Sequence, residues 1–200
     1  MTEVQPSCGP WAGGTDVSLV GEGLVGSSAA AAKFVVTTAE GDEGGSREWS
    51  GDAMKCVYDA SASCLRLVTV AADAIGAEPS SAKLHITLDG ITWTDTSLSF
   101  NLYPQIEWAE PKPKAFTIGT KGGTITIAPT SGSCVVSGHV TVRFVCGETQ
   151  FEEVGTSDAT GVSVQAPDFA DAGDYTVLVA LNGKQVTARV LLHGCSAIMP

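Results

Sequence analysis

The chain has 200 residues, of which 44% are hydrophobic and 16% are charged, and its 22 acidic and 11 basic side chains give a formal net charge of −11. This apolar content is sufficient for packed cores, and the length suits one large domain or two small ones. The acid excess argues against nucleic acid and against direct membrane association, because a phosphate-rich surface requires a concentrated face of lysine and arginine.

The N-terminus lacks the features of a secretory signal. Residues 1–6 contain no basic segment, no apolar run follows them, and no window of the chain approaches the length of a membrane-spanning helix. We therefore expect a cytoplasmic or cytoskeletal protein if the chain is complete. If it is an excised fragment of a larger protein, we expect an extracellular one.

The chain begins with a turn and strand that recur in its second half. Gly13-Gly14-Thr15 precedes a run of alternating apolar and polar residues, and so does Gly122-Gly123-Thr124. Gly14 and Gly123 are 109 residues apart. Each copy is typical of a tight turn that leads into a half-buried strand.

The two halves also end alike. Asp89-Gly90 and Asn182-Gly183 each follow an apolar strand, and these dipeptides are preferred in type I′ hairpin turns. The second copy is shorter by 16 residues, and we assign the difference to the acidic segment 40–48, predicted to be a solvated loop. The boundary falls at a proline-rich stretch, giving domains 1–103 and 104–200.

Further short strands are predicted between these anchors, at residues 33–38, 64–70, 140–145, 161–165 and 188–192. About seven strands in each half, separated by turns, is the pattern of an immunoglobulin-like sandwich. The predicted fold is therefore all-β, with two consecutive immunoglobulin-like β-sandwiches.

The first half resembles the IPT/TIG domains. The residues that carry the resemblance are Gly-Pro-x-x-Gly-Gly-Thr-x-Val-x-Leu-x-Gly at 9–21, and the later Asp89-Gly90 turn with Trp93 and an aromatic ending at 100–103. The second half lacks the Gly-Pro and the aromatic ending, and it is equally similar to a filamin-type repeat. The resemblance implies a spacer or protein-binding module.

The second half contains Asp171, Gly173 and Tyr175 in the pattern Asp-x-Gly-x-Tyr. This is similar to the tyrosine corner of immunoglobulin folds, in which the tyrosine hydroxyl bonds to the backbone at a sheet end. A calcium site formed by Asp168, Asp171 and Asp174 is the alternative, although their spacing lacks the alternating ligands of known calcium loops.

Catalytic, metal and cofactor sites are not predicted. The six cysteines form no CxxC pair, the three histidines stand apart from them, and no nucleophile elbow or phosphate-binding loop occurs. Cys56 and Cys64 flank a turn-like segment and could face each other on a hairpin. Buried free thiols are the other interpretation of the cysteines.

Two functions from different classes remain. The first is a non-catalytic scaffold or cytoskeleton- or cilium-associated module that binds proteins through exposed sheet edges. The second is an extracellular adhesion or carbohydrate-binding fragment. The candidate partner contacts are the four tryptophans, for which core packing is the other explanation: Trp11, Trp49, Trp93 and Trp108.

Overall fold

The computed structural model describes residues 1–40, 45–71, 80–114, 123–131, 140–169 and 171–195. These residues contain no helix, and hence none that could span a membrane. The chain divides into two compact units, Met1–Pro104 and Gln105–Pro200. We call them unit 1 and unit 2. The sequence-based boundary lies after residue 103.

Unit 1 is a sandwich of two sheets. Its strands are β1 (Glu3–Gln5), β2 (Cys8–Pro10), β3 (Asp16–Val20), β4 (Ala31–Glu40), β5 (Gly45–Ser50), β6 (Met54–Lys55), β7 (Val57–Asp59), β8 (Cys64–Val68), β9 (Ser80–Thr87) and β10 (Thr94–Tyr103). The short sheet has the order β1-β3-β8-β7, and the long sheet has the order β2-β10-β9-β4-β5 with β6 beside β4. All these pairs are antiparallel except β2 with β10.

Alternate side chains of these strands fill the core between the sheets. Val17 and Leu19 of β3 are at most 1% exposed, whereas Asp16 at the start of the same strand is exposed. From the long sheet, the rings of Phe34 and Phe100 stack with their centroids 4.9 Å apart. The period of two in the sequence therefore selects which face of each strand is removed from water.

Unit 2 is also built from strands in two layers, and it differs in that one of its strands belongs to both layers. Its strands are β11 (Glu107–Trp108), β12 (Thr124–Ile127), β13 (Pro129–Ser131), β14 (Val140–Cys146), β15 (Thr149–Asp158), β16 (Gly161–Gln165), β17 (Gly173–Ala180) and β18 (Ala188–Cys195). They pair in the order β12-β16-β15-β14-β17-β18, and β11 pairs with β13. The all-β fold with two immunoglobulin-like sandwiches is thus confirmed by strand order and burial.

Strand β15 belongs to both layers of unit 2. Residues 149–155 pair with β14, and residues 156–158 pair with β16. The change of layer falls at the buried Gly155, where an added Cβ would lie 3.1 Å from the carbonyl oxygen of Ser163. A glycine at this corner allows the close approach of two backbones.

The acidic segment that distinguishes the first copy differs from its prediction. Residues 45–48, expected in a solvated loop, lie in β5, and Glu40 pairs with Gly45 in the β4–β5 ladder. Residues 41–44 of the predicted loop lie outside the described residues. An edge strand exposes one face and one row of backbone groups to solvent, so charged residues are compatible with strand structure there.

The Gly13-Gly14-Thr15 turn precedes β3 and is hydrogen-bonded to the residues that follow β8. Gly13 and Gly14 have φ values of 75° and 79°. The Gly14 amide donates to the Thr69 carbonyl at 2.7 Å, and the Thr15 amide donates to Thr69 Oγ1 at 3.0 Å. An added Cβ on Gly13 would lie 2.6 Å from the carbonyl carbon of Val70, so both the dihedral angle and the space favour glycine.

The corresponding turn of unit 2 is described in part. Gly122 lies outside the described residues. The Gly123 carbonyl accepts a hydrogen bond of 2.7 Å from the amide of Ala166, which follows β16. Thr124 is exposed and begins β12.

Substituting Gly13 tests the packing of this turn. We expect Gly13→Ala to cost about 1 kcal/mol for the left-handed conformation and a further ~1–3 kcal/mol for the collision with the Val70 backbone. Gly23→Ala is the matched control, since Gly23 has a φ of 72° and nothing within 4 Å of an added Cβ. Urea denaturation measures both variants, and equal losses of stability would show that the close contact is unimportant.

Candidate functional site

The loop between β9 and β10 is organised by one carboxylate. Oδ1 of Asp89 accepts hydrogen bonds of 2.8 Å from the amides of Ile91 and Thr92 and from the hydroxyl of Thr87. The amide of Gly90, at a φ of 78°, donates to the same hydroxyl at 2.9 Å. Donation from the Ile91 amide first, and then from Thr92 and Thr87, holds the pKa of Asp89 well below its ordinary range.

The loop between β17 and β18 has the same polar centre. Asn182 Oδ1 accepts from the amides of Lys184 at 3.1 Å and Gln185 at 2.8 Å, and Gly183 has a φ of 73°. Type I′ turns were predicted here and at Asp89, and both predictions are wrong. Among the described non-glycine residues, positive φ occurs only at Ser63 and Ser97, and the side-chain oxygen supports a longer loop in place of the two-residue turn.

The hydroxyl of Tyr175 is hydrogen-bonded to the backbone carbonyl of Asp171. Tyr175 is fully buried in β17, its hydroxyl donates to the Asp171 carbonyl at 3.1 Å, and the Asp171 amide lies 3.3 Å from that hydroxyl. Gly173, at the start of the strand, has a φ of 144°. The Tyr175 ring packs against Phe169 with their centroids 4.7 Å apart, so the corner joins the loop to the core of unit 2.

The carboxylates around this corner have different partners. Asp171 Oδ2 accepts from Thr149 Oγ1 at 2.5 Å, whereas Asp174 Oδ2 lies 3.3 Å from Nδ1 of His193. Among the described residues, no group of three histidine, cysteine or acidic side chains is placed to hold a metal ion.

Of the four tryptophans, which were possible partner contacts or core residues, the three whose side chains are described are half-buried. Trp11 packs against the core of unit 1, and Trp93 lies beneath the ammonium of Lys33, which is 4.7 Å from the ring centroid. Trp108 lies in β11. Trp49 pairs with Val36 in the β4–β5 ladder, and its side chain is outside the described set.

An open depression of about 380 Å³ lies beside the Asp89 loop. Its lining residues are Ile86, Leu88, Asp89, Thr92 and Thr94. Trp93 does not line it, so the depression lacks the aromatic surface on which a sugar ring would stack.

The structure describes four cysteine side chains, none of them in a disulfide: Cys8, Cys56 and Cys64 are buried, and Cys146 is half-buried. Cys64 pairs with Asp59 across the β7–β8 hairpin, so the expectation that it faces Cys56 is not met. Cys134 and the side chain of Cys195 lie outside the described residues. Burial raises the pKa of Cys8 and of Cys56 to about 11.

The outer face of the unit 1 long sheet is polar. Lys83 pairs with Asp95 at 3.6 Å, and the half-buried His85 lies opposite both Lys33 and Asp95 in the strand register. Exposed serines at 81 and 99 continue the same face. This composition is typical of a solvated sheet surface.

The outer face of the unit 1 short sheet is different, and we call it the acidic face. Val57 and Val68 are 62% and 58% exposed, and Arg66 lies between them on the same face. The guanidinium of Arg66 is 2.7 Å from Asp16 and 3.9 Å from Asp59. Glu3, Ser18 and Val20 complete this face.

In unit 2, strands β15, β14, β17 and β18 form the long sheet, and strands β12, β16 and the end of β15 form the short sheet. We call the outer face of the long sheet the arginine face. Val145, Thr176 and Leu191 form one row across β14, β17 and β18, and the next row contains Arg143, Leu178 and Arg189. Leu191 is 40% exposed. Beside them on β15, Glu152 binds Arg143 at 2.5 Å, and Val154 is 73% exposed.

The comparisons with known proteins give only a distant likeness. No family model matches the chain, and no curated protein sequence matches it. Two solved structures of the plexin A4 extracellular region align at TM-scores of 0.49 and 0.48, with 16% and 18% identity over 87% and 97% of this chain. The chain spans 14% and 18% of those two chains.

A teleost fish polymeric Ig receptor ectodomain aligns at a TM-score of 0.28, with 12% identity over 96% of each chain. The immunoglobulin-like architecture therefore rests on the strand order and burial of the chain itself.

Replacing Asp89 tests the loop and its pH dependence. At pH 7 we expect Asp89→Ala to lower the Tm and Asp89→Asn to lower it less, because the amide oxygen still accepts hydrogen bonds, as it does at Asn182. The depressed pKa makes the carboxylate stabilising above its ordinary value of 3.8, and this contribution is lost as the pH falls below that value. The gap in Tm between wild type and Asp89→Asn should therefore shrink from pH 7 to pH 3, and a constant gap would contradict the assignment.

The buried thiols predict a loss of stability at alkaline pH. Thiols of the unfolded chain ionise near 9.0, whereas those of Cys8 and Cys56 in the folded chain ionise near 11, so their contribution is complete below pH 9 and is lost between pH 9 and 11. Urea denaturation across this range should show a steeper decline for wild type than for the Cys8→Ala/Cys56→Ala variant. Cys146→Ala, a half-buried site, is the control and should follow the wild-type profile.

Proposed function

We propose that this chain is a non-catalytic, tandem immunoglobulin-like module that binds other proteins. For unit 1 we propose the IPT/TIG family, supported by the glycine pair at the Gly13-Gly14-Thr15 turn and by the Asp89 loop. For unit 2 the proposal is an IPT/TIG or filamin-type repeat, supported by the matching oxygen of Asn182. We propose residues 1–103 and 104–200 as the two domains, with a boundary one residue before that between unit 1 and unit 2.

The arginine face carries this proposal. A solvated sheet face is ordinarily polar, yet this one places Val145, Leu178 and Leu191 on adjacent strands with Val154 at its side. Such partly exposed aliphatic groups bordered by arginine are typical of a protein-binding surface. Arginine contributes directional donors at the border, and the aliphatic groups contribute buried area on binding.

Sheet edges find less support as the binding element. Residues 149–155 of β15 pair on one side with β14, which leaves the other side open among the described strands. Glu153 lies opposite the buried Val142 and alternates with Phe151 and Gly155, so its carboxylate is on the inward-facing row. An inward-pointing charge of this kind disfavours the addition of a further strand.

The histidines do not support a catalytic assignment. His85 lies on the outward face of β9, and His193 faces Asp174 at 3.3 Å. His139 lies outside the described residues. Neither described histidine lines the depression beside the Asp89 loop, and a base and a nucleophile would have to meet a substrate in one pocket.

We propose a scaffold or a cytoskeleton- or cilium-associated protein as the first candidate, since the buried thiols of Cys56 and Cys64 suit a reducing compartment. An extracellular adhesion or carbohydrate-binding fragment is the alternative. Sugar binding finds less support, because the three described tryptophans are half-buried and none lines the depression beside the Asp89 loop.

Site-specific photo-crosslinking tests the protein-binding proposal. A photoreactive phenylalanine analogue at Leu191 should form adducts with a discrete partner protein in an extract of the native source. The same analogue at Gln165, which is exposed on the polar short sheet of unit 2, is the matched control and should form none. Adducts of equal yield at both positions, or the absence of protein adducts at Leu191, would contradict the proposal.

A further inference from the structure

The acidic face of unit 1 exposes aliphatic side chains that its own sheet does not require for folding. The core is supplied by the opposite side of these strands, where Leu65 and Leu67 are at most 3% exposed. Val57 and Val68 lie on the outer side and are more than half exposed. They are diagonal neighbours on β7 and β8, on the same side of the sheet as Arg66 and Asp16.

The equivalent sheet of unit 2 has a different composition. Its outer row carries polar groups in place of the valines of unit 1: Thr124, Thr126, Asp158, Ser163 and Gln165. Gln165 Nε2 donates to Thr124 Oγ1 at 3.3 Å within that row. The same architecture therefore folds with a fully polar outer face, and the valines of unit 1 are not dictated by the fold.

Two carboxylates of the acidic face are held in place by the protein itself. Asp59 Oδ1 accepts from the amide and hydroxyl of Ser61 at 3.0 and 2.6 Å and from the Ala62 amide at 3.2 Å. Its other oxygen faces Arg66, which also binds Asp16. A partner cation would meet carboxylates that are already oriented, which reduces the entropy lost on binding.

The chain as a whole carries a negative net charge, as the acidic face does. Unit 1 carries 13 acidic and 5 basic side chains, a net −8, whereas unit 2 carries 9 acidic and 6 basic side chains, a net −3. A basic partner is attracted to unit 1 at long range and meets a local acid excess when it arrives. A second copy of this chain, at −11, would be repelled.

We propose that the acidic face of unit 1 is a docking surface for an extended protein segment that carries both lysine or arginine and aliphatic residues on one side, at every second position. The basic groups pair with Asp16 and Asp59, and the aliphatic groups cover Val57 and Val68. The face extends across four strands, roughly 14 Å at the usual strand spacing, which suits a short segment. This inference rests on the proposed protein-binding function but uses a surface separate from the arginine face.

Nuclear magnetic resonance titration of the ¹⁵N-labelled full chain tests the proposal. The probe is the synthetic octapeptide Lys-Ser-Val-Ser-Lys-Ser-Val-Ser, whose lysines and valines share one side of an extended chain, and the control probes replace its lysines by glutamate or its valines by serine. We expect shifts centred on the amides of Asp16, Val57, Arg66 and Val68, and little change at Thr126 and Ser163. The valine-to-serine control should bind at least five-fold more weakly, because it has the same charge but does not cover the valines.

Variants separate the specific surface from general charge. We expect Asp16→Asn and, independently, Val68→Thr to weaken the binding of the lysine–valine peptide at least five-fold. Glu148→Gln is the matched control, because it makes the same change of net charge at an exposed position of unit 2 and should have little effect. Dispersed amide spectra verify that each variant is folded.

Several outcomes would overturn the inference. These are equal weakening by Asp16→Asn and Glu148→Gln, equal binding of the valine-to-serine control peptide, or shifts that map outside the acidic face. Concentration-dependent broadening of the face without peptide would assign it to self-association instead. The peptide titration reports on unit 1, whereas the crosslinking at Leu191 reports on unit 2. Failure of the peptide to bind is therefore distinguishable from an absence of crosslinks at Leu191.

Discussion

Burial of every second strand residue between two sheets is the interaction on which each unit depends. In unit 1 it stacks Phe34 on Phe100, and in unit 2 it packs Phe144 against Phe169 with their centroids 5.6 Å apart. Because the side chains of a strand alternate, satisfying the core leaves the other face of every strand free to vary. The turns, corners and outer faces are all positioned by this inner packing.

The two units share the structural devices that hold a sandwich together. A side-chain oxygen at Asp89 or Asn182 accepts from the amides two and three residues later, and a glycine with positive φ follows it. The units differ on the outer faces of their sheets, which the packing of the core does not constrain. Unit 1 presents valines and carboxylates on its short sheet, and unit 2 presents aliphatic residues and arginines on its long sheet. We infer that the repeat preserves folding and diversifies recognition.

Local sequence patterns located the strands and turns more reliably than they gave the turn type or the pairing of charged segments. Alternating apolar residues located β3, β8, β14 and β18 because burial depends only on the period of two. The Asp89-Gly90 dipeptide located a turn but gave the wrong type, since the hydroxyl of Thr87 and the amides beyond the turn stabilise a wider loop. Residues 45–48 were expected in a loop because they are charged, although pairing with β4 makes them an edge strand.

The sequence by itself determined an all-β chain with two related halves, because strand periodicity, glycine turns and their recurrence are local properties. Only the tertiary structure decided which residues meet on a surface. Asp16, Val57 and Arg66 lie far apart along the chain and come together through the pairing of three strands. The tryptophans show the same limit, since an aromatic residue suits a core and a binding surface equally. Which one it joins depends on neighbours from distant strands.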